Sequence, residues 1–483
     1  MTKIKSIGAS SAGDQWEAIS WPKARLQVYR LQMRIAKAER ERKTGKVKAL
    51  QRILTHSFYA KAIAVKRVTQ NKGATTPGVD NIIWRTNVQK MKAALSLKRR
   101  GYKTSPLKRI HIAKKSGGLR PLSIPTLQDR AMQALYLQAL EPIAENRADI
   151  NSYGFRPKRS AKDAIEQCHK VLAKRSSAQW IFEGDIESCF DKIRHSWLLE
   201  NIPMDKTILR KFLEAGYMEK TVFNPTIAGT PQGGICSPTL ALMALSGLER
   251  EVKTLSATQN RKVNVVVYAD DFVITSVSKE VLETSVVPAI ERFLKERGLK
   301  LSSSKSKITH ISKGFDFLGF NIRKYSNKLL IKPSKDSVKS FTADLKSTIK
   351  KHQSAKTENL IYALNPKIRG WANYFRNGVS SKTFSKIDVV IYQAIARWIN
   401  RRHPNKGKKW SNEKYFRNSG LDNWQFFANT KDKSVSLLKL RNFNIKRHVK
   451  IKGKANPYDP EYKKYFAQRK DRKVLQPGYP IAL

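Results

Sequence analysis

The stretch VNVVVYADDFVITSV, residues 263–277, places two neighbouring carboxylates, Asp270 and Asp271, between two apolar runs rich in β-branched residues. Such runs are typical of strands, so the stretch predicts a β-hairpin with both carboxylates at its tip. An ordinary acidic turn is the simpler alternative, since acidic residues are common in turns. The flanks are almost wholly apolar, however, which predicts buried strands. Paired carboxylates on buried strands are costly unless a cation, usually a divalent metal, neutralises them.

A second carboxylate follows another apolar run in WIFEGDIESCFDKI, residues 180–193. The run ends at Asp185 and the next residues have a helical pattern, so Asp185 is expected at the end of a strand. Asp191 is expected on the helix and exposed. If Asp185 meets Asp270 and Asp271 in space, their oxygens suffice for two Mg²⁺ ions about 3.5–4 Å apart, the arrangement that drives phosphoryl transfer.

The charge of the chain indicates a polyanionic partner. Its 483 residues include 94 Lys and Arg against 38 Asp and Glu, a net charge of +56. This excess points to a nucleic acid contacted over a large surface, without distinguishing DNA from RNA. A ribosomal or histone-like packing role is compatible with the charge, although such chains are usually shorter and poorer in aromatic residues. The length suggests two to four domains with real cores, which excludes a coiled coil or a disulfide scaffold.

The three cysteines are odd in number and form no CxxC pair, which indicates a reducing compartment. The N-terminus lacks the apolar core of a signal peptide, and no apolar run approaches the roughly 18 residues of a membrane span. We therefore expect a cytoplasmic, bacterial protein that does not bind membranes, with an organelle matrix as the alternative. The histidines form no HExxH pair or Ser/His/Asp grouping, so none is assigned a catalytic role.

The pattern along the chain changes several times. Residues 22–54 combine apolar positions at helical spacing with many Lys and Arg, which predicts one or two basic helices that either contact RNA or pack on the next domain. Strand-like and helical stretches then alternate up to residue 322, as in an α+β or α/β body. Residues 334–402 return to helical spacing. The first helix predicted there carries its apolar residues at Val338, Phe341, Leu345 and Ile349.

Residues 401–483 hold 22 Lys and Arg against 6 Asp and Glu, interleaved with aromatic residues. Basic groups neutralise phosphates while aromatic faces stack on bases. The region therefore favours a nucleic-acid-binding domain over a plain helical appendage.

A series of motifs also runs in order through nearly the whole chain. They are TPGVD (76–80), KKSGGLRPLSIPTLQDRAMQ (114–133), SYGFRPKRSAKDAI (152–165), EGDIESCFDKI (183–193), GTPQGGICSPTLA (229–241), YADDF (268–272), GLKLSSSKS (298–306) and FDFLGF (315–320). On these motifs the chain resembles the reverse transcriptases encoded within group II introns, also called maturases. NPKIRGWANYF (365–375) is similar to the thumb or maturase domain that separates this family from retroviral and telomere relatives.

The resemblance implies an α+β fold. Its expected parts are the fingers and palm of a right-hand polymerase, a helical thumb or maturase domain, and a small, basic, mostly helical C-terminal DNA-binding domain. The domains expected from it are a basic N-terminal extension (1–54), fingers and palm (55–322), thumb (323–402) and DNA-binding domain (403–483).

Catalytic roles also follow from the resemblance. Asp185, Asp270 and Asp271 match the family's catalytic Mg²⁺ ligands. Phe190 matches its steric gate, a ring under the sugar that excludes a 2′-hydroxyl and so selects dNTPs. A core aromatic residue is the alternative for Phe190, and both descriptions can hold together.

Further residues are expected to bind the nucleotide. Lys114 and Arg120 would contact the triphosphate, with Lys115 as an alternative to Lys114. Gln232 would hydrogen-bond the incoming nucleotide, and Ile186 would lie beside it. Lys305 would donate a proton to pyrophosphate, or else be an ordinary exposed lysine. The adjacent glycines 233 and 234 would let the backbone approach the template.

The resemblance implies an RNA-directed DNA polymerase bound to its own intron RNA in a ribonucleoprotein, without an obligate protein partner. It would assist splicing and copy the intron RNA at a target DNA by target-primed reverse transcription. Alternatives are a splicing factor without polymerase activity, a reverse transcriptase of a CRISPR-linked or diversity-generating element, and a metal-dependent nuclease.

Many family members continue into an HNH endonuclease. Residues 447–466 resemble the segment that leads into it, but no Cys or His follows them. We therefore expect no endonuclease, and priming from a nascent strand at a replication fork or from another nick.

Overall fold

Helices form the N-terminal part of the protein. The computed structural model describes residues 12–113, 117–258, 263–326, 328–418, 420, 424–430 and 432–474. The first helices are α1 (Ala12–Glu17), α2 (Trp21–Arg40), α3 (Thr44–His56), α4 (Phe58–Thr69) and α5 (Asn87–Ser96). The prediction of one or two basic helices over residues 22–54 is confirmed, and the structure has two, α2 and α3. The apolar spacing there is only partly a core pattern, because Ile35 is buried while Leu26 is exposed.

The middle of the chain mixes strands and helices, as predicted. In chain order its elements are β1 (Leu107–Ala113), β2 (Leu119–Ile124), α6 (Leu127–Arg147), α7 (Ala161–Leu172), β3 (Trp180–Asp185), α8 (Cys189–Lys192), α9 (His195–Asn201), α10 (Lys206–Leu213), β4 (Tyr217–Glu219), β5 (Val222–Asn224), α11 (Ser237–Leu245), α12 (Leu248–Thr258), β6 (Val263–Tyr268), β7 (Asp271–Ser276), α13 (Lys279–Val281), a π-helical turn (Leu282–Val286), α14 (Val287–Glu296) and β8 (Lys307–His310).

Two four-stranded sheets organise this part. One has the strand order β2-β1-β4-β5, and the other, here called the palm sheet, has the order β6-β7-β3-β8. Helix α6 is buried along nearly its whole length and packs against α2 and α4. Its buried polar side chains have partners, as buried polar groups need: Asp129 accepts hydrogen bonds from Tyr102 and Thr126, and Glu145 pairs with Arg156.

Three strands and three long helices follow. They are β9 (Phe315–Phe317), β10 (Phe320–Tyr325), β11 (Lys328–Pro333), α15 (Lys335–Lys351), α16 (Thr357–Phe375) and α17 (Ser381–Arg402). The helical prediction for residues 334–402 is confirmed. Phe341, Leu345 and Ile349 are buried as their spacing predicts, and Val338 is half-buried. No helix among the described residues is both long and apolar enough to cross a bilayer.

The C-terminal part is less helical than predicted. Its elements are α18 (Lys408–Tyr415), β12 (Phe416–Arg417), β13 (Gln425–Asn429), β14 (Ser434–Ser436), two 3₁₀ turns (Leu440–Asn442 and Pro460–Tyr462) and α19 (Lys463–Val474). The expectation of a mostly helical region is wrong for the described residues. Phe416 pairs with Phe426 across β12 and β13, and such aromatic cross-strand pairs favour a sheet.

Residues 448–469, here called the return segment, pack on the palm and on the N-terminal helices. Tyr29 Oη donates to the carbonyl of Pro457 (2.8 Å), and Arg40 pairs with Asp459. Further contacts join Arg159 to Gly453, Asn146 to Asn456, Glu141 to Tyr458, and Asp163 to His448, Ile451 and Arg469. The return segment therefore joins distant parts of the chain.

Candidate active site

The hairpin of β6 and β7 carries Asp270 and Asp271 at its tip, as predicted. Tyr268 pairs with Asp271, so the loop between the strands is only Ala269 and Asp270. Ala269 has a φ of +58°, in the left-handed region. Glycine is the usual residue at the first position of such a two-residue loop. Alanine there stores backbone strain, which surrounding contacts must hold in place.

One of these contacts comes from Gly154, whose role the sequence did not reveal. The backbone N–H of Tyr153 donates to the carbonyl of Val267 (2.9 Å), so the loop runs along the edge of β6. A Cβ at Gly154 would lie 2.3 Å from the backbone nitrogen of Ala269. Glycine is therefore required for this loop to support the tip, and no local pattern could have shown it.

Asp185 ends β3, as predicted, and lies directly opposite Asp271 in the antiparallel pairing of β3 with β7. Its carbonyl accepts a hydrogen bond from the N–H of Ser302 (2.8 Å), which fixes the chain just beyond the strand. The structure thus brings all three predicted carboxylates to one edge of the palm sheet, although 85 residues separate Asp185 from Asp270 in the sequence.

Burial and neighbouring negative charge raise the pKa of two of the carboxylates, Asp270 and Asp271. Burial, followed by the charges of Asp270 and Asp185, raises the pKa of Asp271 to about 6, even though part of this residue is open to solvent. Burial and the charge of Asp185 also raise the pKa of Asp270, while Lys305 and Arg120 act in the opposite direction. Like charges held this close are typical of sites that bind a cation.

A lysine already faces this cluster. Lys305 Nζ donates to Asp185 Oδ2 at 2.9 Å, and this hydrogen bond raises the pKa of Lys305. Among the described residues, no three acidic, histidine or cysteine side chains are yet gathered in a metal-coordinating arrangement. The donors at the sheet edge are nevertheless hard carboxylate oxygens, which suit Mg²⁺. The crowded negative charge therefore fits a divalent cation that would take the place of the lysine.

Phe190 lies in α8, half-buried beside this edge. Its ring meets Phe155 edge to face, with centroids 5.8 Å apart. Together with Ala269 and Asp270 it lines one small hollow. The ring thus packs in a core and also borders the carboxylates, so the geometry allows both descriptions of this residue.

The loop that carries Gln232 is fixed from two sides. The side-chain amide Nε2 of Gln232 donates to Oδ2 of the exposed Asp191 (3.1 Å). The backbone carbonyl of Gln232 accepts a hydrogen bond from the N–H of Ser123 in β2 (2.7 Å). A Cβ at Gly233 would lie 2.5 Å from the Ser123 carbonyl oxygen. Packing against β2 is therefore sufficient to require this glycine.

His195 holds the start of the same loop, which the search for histidine motifs did not reveal. Its Nε2 donates to the carbonyl of Gly229 (2.8 Å), and burial lowers the pKa of His195. The N–H of Thr230 donates to the carbonyl of Phe190 (2.6 Å). These two bonds tie the Gln232 loop to α9 and α8, respectively. A lone histidine outside any motif gives no signal of such a role in the sequence.

The other predicted nucleotide contacts differ in position. Arg120 is exposed on β2, and its charge opposes the rise in the pKa of Asp270, so it borders the same cleft. Ile186 is only 2 % exposed and belongs to the core, and it forms an antiparallel bridge with Leu301. Lys114 and Lys115 lie outside the described residues.

Comparison with known families gives three matches along the chain. Residues 112–322 match the reverse transcriptase (RNA-dependent DNA polymerase) family, and residues 16–97 match the N-terminal domain of reverse transcriptase. Residues 338–416 match the maturase-specific domain of group II introns. The chain thus has a reverse transcriptase domain followed by a helical maturase domain.

Two bacterial relatives cover most of this length. Protein YkfC of Escherichia coli is 31 % identical over 330 residues, which span 58 % of this chain and 84 % of that protein. The group II intron-encoded protein LtrA of Lactococcus lactis is 29 % identical over 427 residues, spanning 68 % of this chain and 70 % of that protein.

Among solved structures, Candida albicans telomerase matches with 12 % identity over 65 % of this chain and 62 % of that one, at a TM-score of 0.39. That similarity is too weak to support a conclusion. The domain matches and the two bacterial relatives are sufficient by themselves: the chain belongs to the family of group II intron reverse transcriptases and maturases.

Proposed function

We propose that this reverse transcriptase copies its own group II intron RNA into DNA at the edge formed by Asp185, Asp270 and Asp271. The observation that carries the proposal is the register that sets Asp185 opposite Asp271, next to Asp270. Burial, together with the charges of Asp270 and Asp185, raises the pKa of Asp271 to about 6. A cluster of like charges that raises the pKa of its own members is more typical of a functional site than of a structural one.

The three aspartates would hold Mg²⁺. Bound there, the metal would supply a Lewis acid for the primer 3′-hydroxyl and positive charge for the triphosphate. The chain itself fixes the carboxylates through the β3–β7 register and the supported tip at Ala269. Lys305, whose ammonium reaches Asp185, is positioned to donate a proton to the leaving pyrophosphate.

The incoming dNTP would bind between the two sheets. Arg120, and Lys114 or Lys115 on the same hairpin, would contact its phosphates. Gln232 would hydrogen-bond the nucleotide from a loop fixed to β2, beside the backbone of Ile186. Phe190 would exclude a 2′-hydroxyl, because its ring already borders Asp270 and is held there by Phe155.

Intron RNA is the proposed partner for the basic surface. The net charge of +56 supports extended phosphate contacts, and the lactococcal relative is encoded by a group II intron. Binding would stabilise the catalytic fold of the RNA during splicing. Copying would then start from a primer strand in the target DNA, contacted by the basic C-terminal residues 403–483. A bacterial cytoplasmic location stays a prediction.

A splicing factor without polymerase activity is the main alternative. It needs only the basic and aromatic surface and no carboxylate cluster. Asp270 and Asp271 argue against it, because negative charge that faces a phosphate backbone weakens binding. Triphosphate contact by Arg120 and exclusion of a 2′-hydroxyl by Phe190 would likewise have no purpose in such a factor.

Primer extension on poly(rA)/oligo(dT) with Mg²⁺ tests the proposal. We expect activity from the wild-type protein and a loss of about 10³-fold in Asp270→Ala, because a ligand of the proposed Mg²⁺ is removed. Asp316→Asn, an exposed acidic residue on β9, is the matched control and should keep full activity. An inactive wild type, with splicing of the intron equally promoted by Asp270→Ala, would establish the splicing-only alternative.

A further inference from the structure

A cavity far from the carboxylates lies between α17 and the C-terminal sheet. Its volume is about 370 Å³, within the range of small-molecule sites. Val389 and Tyr392 of α17 form one wall, and Phe416 and Trp424 form another. The polymerase reaction described above uses none of these residues, so the cavity needs an explanation of its own.

The apolar and aromatic residues at its mouth are exposed to solvent. Val389 is 55 % exposed, Trp424 45 % and Tyr392 39 %. The Trp424 ring is supported edge to face by Tyr392 (5.8 Å between centroids) and by Phe416 (5.9 Å). A large ring that is braced by its neighbours and still half open is well suited to stack on a flat ligand.

The rim of the cavity is basic and held in place. Lys439 and Arg441 border it, on either side of Leu440. The half-buried carboxylate of Asp388 in α17 accepts hydrogen bonds from the N–H groups of Leu440 (2.8 Å) and Arg441 (2.9 Å). Because both oxygens of Asp388 bind this backbone, the segment that carries the two cations is fixed relative to the aromatic wall.

We propose that this cavity, the Trp424 pocket, takes a single unstacked base of the intron RNA, with Lys439 and Arg441 next to the flanking phosphates. The proposal rests on the function proposed above, in which the chain binds that RNA. Single-stranded RNA is commonly recognised by splaying a base onto aromatic rings within a basic surface. One wall of the pocket belongs to residues 338–416, which match the maturase-specific domain.

Charge complementarity favours a nucleic acid over a peptide as the occupant. Residues 401–483 carry 22 basic against 6 acidic side chains. An apolar peptide would gain from the rings but nothing from the cations at the rim. A base attached to its phosphates uses both, and therefore accounts for the whole lining.

The test is binding of the full-length protein to a 12-nucleotide single-stranded RNA with a central 4-thiouridine. We expect Trp424→Ala to weaken binding between about 5-fold and 150-fold, the range for loss of one stacked base. Trp424→Phe keeps an aromatic ring and should therefore retain most of the affinity. This result would show that the pocket still folds when Trp424 is replaced. Ultraviolet cross-linking should attach the 4-thiouridine to peptides that contain residues 389–441.

Tyr362→Ala is the matched control, because Tyr362 is a 49 % exposed aromatic residue of α16 outside the pocket. An equal loss of affinity in Tyr362→Ala and Trp424→Ala would overturn the proposal, as would cross-links confined to other segments. The same dependence on Trp424 for a DNA 12-mer would overturn the assignment to RNA. Failure of the wild-type protein to bind intron RNA would instead refute the proposed function.

Lys439→Gln gives a further arm of the test. If this lysine lies next to a phosphate, the slope of log affinity against log salt should fall by about one in magnitude. Trp424→Ala should leave that slope unchanged, because it removes stacking and no charge. A steepened or unchanged slope in Lys439→Gln would overturn the placement of phosphates at the rim.

Discussion

Two carboxylates in the palm, Asp163 and Asp271, differ in what surrounds them. Asp163 is 1 % exposed and accepts hydrogen bonds from His448, from the backbone of Ile451 and from Arg469. Burial alone would raise its pKa, but these donors outweigh burial and lower it to about 2. Asp271 has acidic neighbours instead, and its pKa rises to about 6.

The difference separates a structural carboxylate from a functional one. Donors from the return segment satisfy Asp163 within the chain, so its negative charge helps to hold the fold together. Asp271 faces two other carboxylates, and the charge of Lys305 offsets them only in part, so the site suits an external cation. A count of acidic residues cannot separate the two cases, whereas the groups that surround each carboxylate do.

The largest effect on stability is expected from Asp163→Asn. The new amide would place its own N–H groups against the donors of His448 and Arg469, so we expect a loss of about 3–5 kcal/mol, as when one partner of a buried ion pair is removed. Denaturant unfolding measures the change. Asp336→Asn, at an exposed position in the first turn of α15, is the control and should change stability by less than about 0.5 kcal/mol.

Equal midpoints for these two variants would contradict a structural role for Asp163. Its contribution also has a defined pH window. Because the pKa falls from 3.8 in the unfolded chain to about 2 in the fold, the stabilisation is full above pH 4 and is lost as the pH falls towards 2.

Gly154→Ala should affect the site of Asp270 and Asp271, because Gly154 supports the tip of the β6–β7 hairpin. A Cβ there must displace Ala269 and hence Asp270 and Asp271. We expect primer extension to fall about 10- to 100-fold, since small shifts of catalytic groups are this costly. Gly370→Ala, at a helical glycine where a Cβ meets nothing within 4 Å, is the control. Unchanged activity in Gly154→Ala would show that the tip does not depend on this support.

The Mg²⁺ requirement should depend on pH. A metal at the cluster must displace the proton of Asp271, whose pKa is about 6. Below that pH we expect the Mg²⁺ concentration for half-maximal primer extension to rise by about tenfold per pH unit, and above pH 7 to level off. Magnesium titrations at pH 5, 6, 7 and 8 measure this. A requirement that is constant from pH 5 to 8 would speak against ligation by Asp271.

The smallest effect is expected from Asp271→Asn without divalent ions. Because folding raises the pKa of Asp271 from 3.8 to about 6, ionisation of this group destabilises the folded state as the pH rises through that range. Removing the charge should therefore stabilise the protein at pH 7, by up to about 1 kcal/mol, because solvent screens the partly exposed group. At pH 3.5 the variant and the wild type should melt together. Destabilisation at pH 7 would place Asp271 with the structural carboxylates.

The parts of the site that local pattern determines could be predicted. The apolar runs around Asp270 define a hairpin, and the run before Asp185 defines a strand end, so both elements are confirmed. Whether the hairpin tip and the strand end meet depends on the register between strands far apart in sequence. The expectation that they meet comes from the need of neighbouring carboxylates for a shared cation.

Support from distant segments could not be predicted. The return segment reaches Asp163 from 285 residues away at His448, and no local spacing records such a contact. Gly154 and His195 contact backbone atoms of other elements. Because every residue type has the same backbone atoms, the sequence gives no signal of these contacts. The sheet at Phe416 and Phe426 was missed because basic and aromatic composition does not define a strand period.

The return segment also bears on how the molecule is made. A nascent chain that has just produced α7 must wait for nearly 300 further residues before Arg469 can reach Asp163. Until then that carboxylate lacks its cations, and closing so long a loop is slow. The polymerase body is therefore completed only after the ribosome has read far past it.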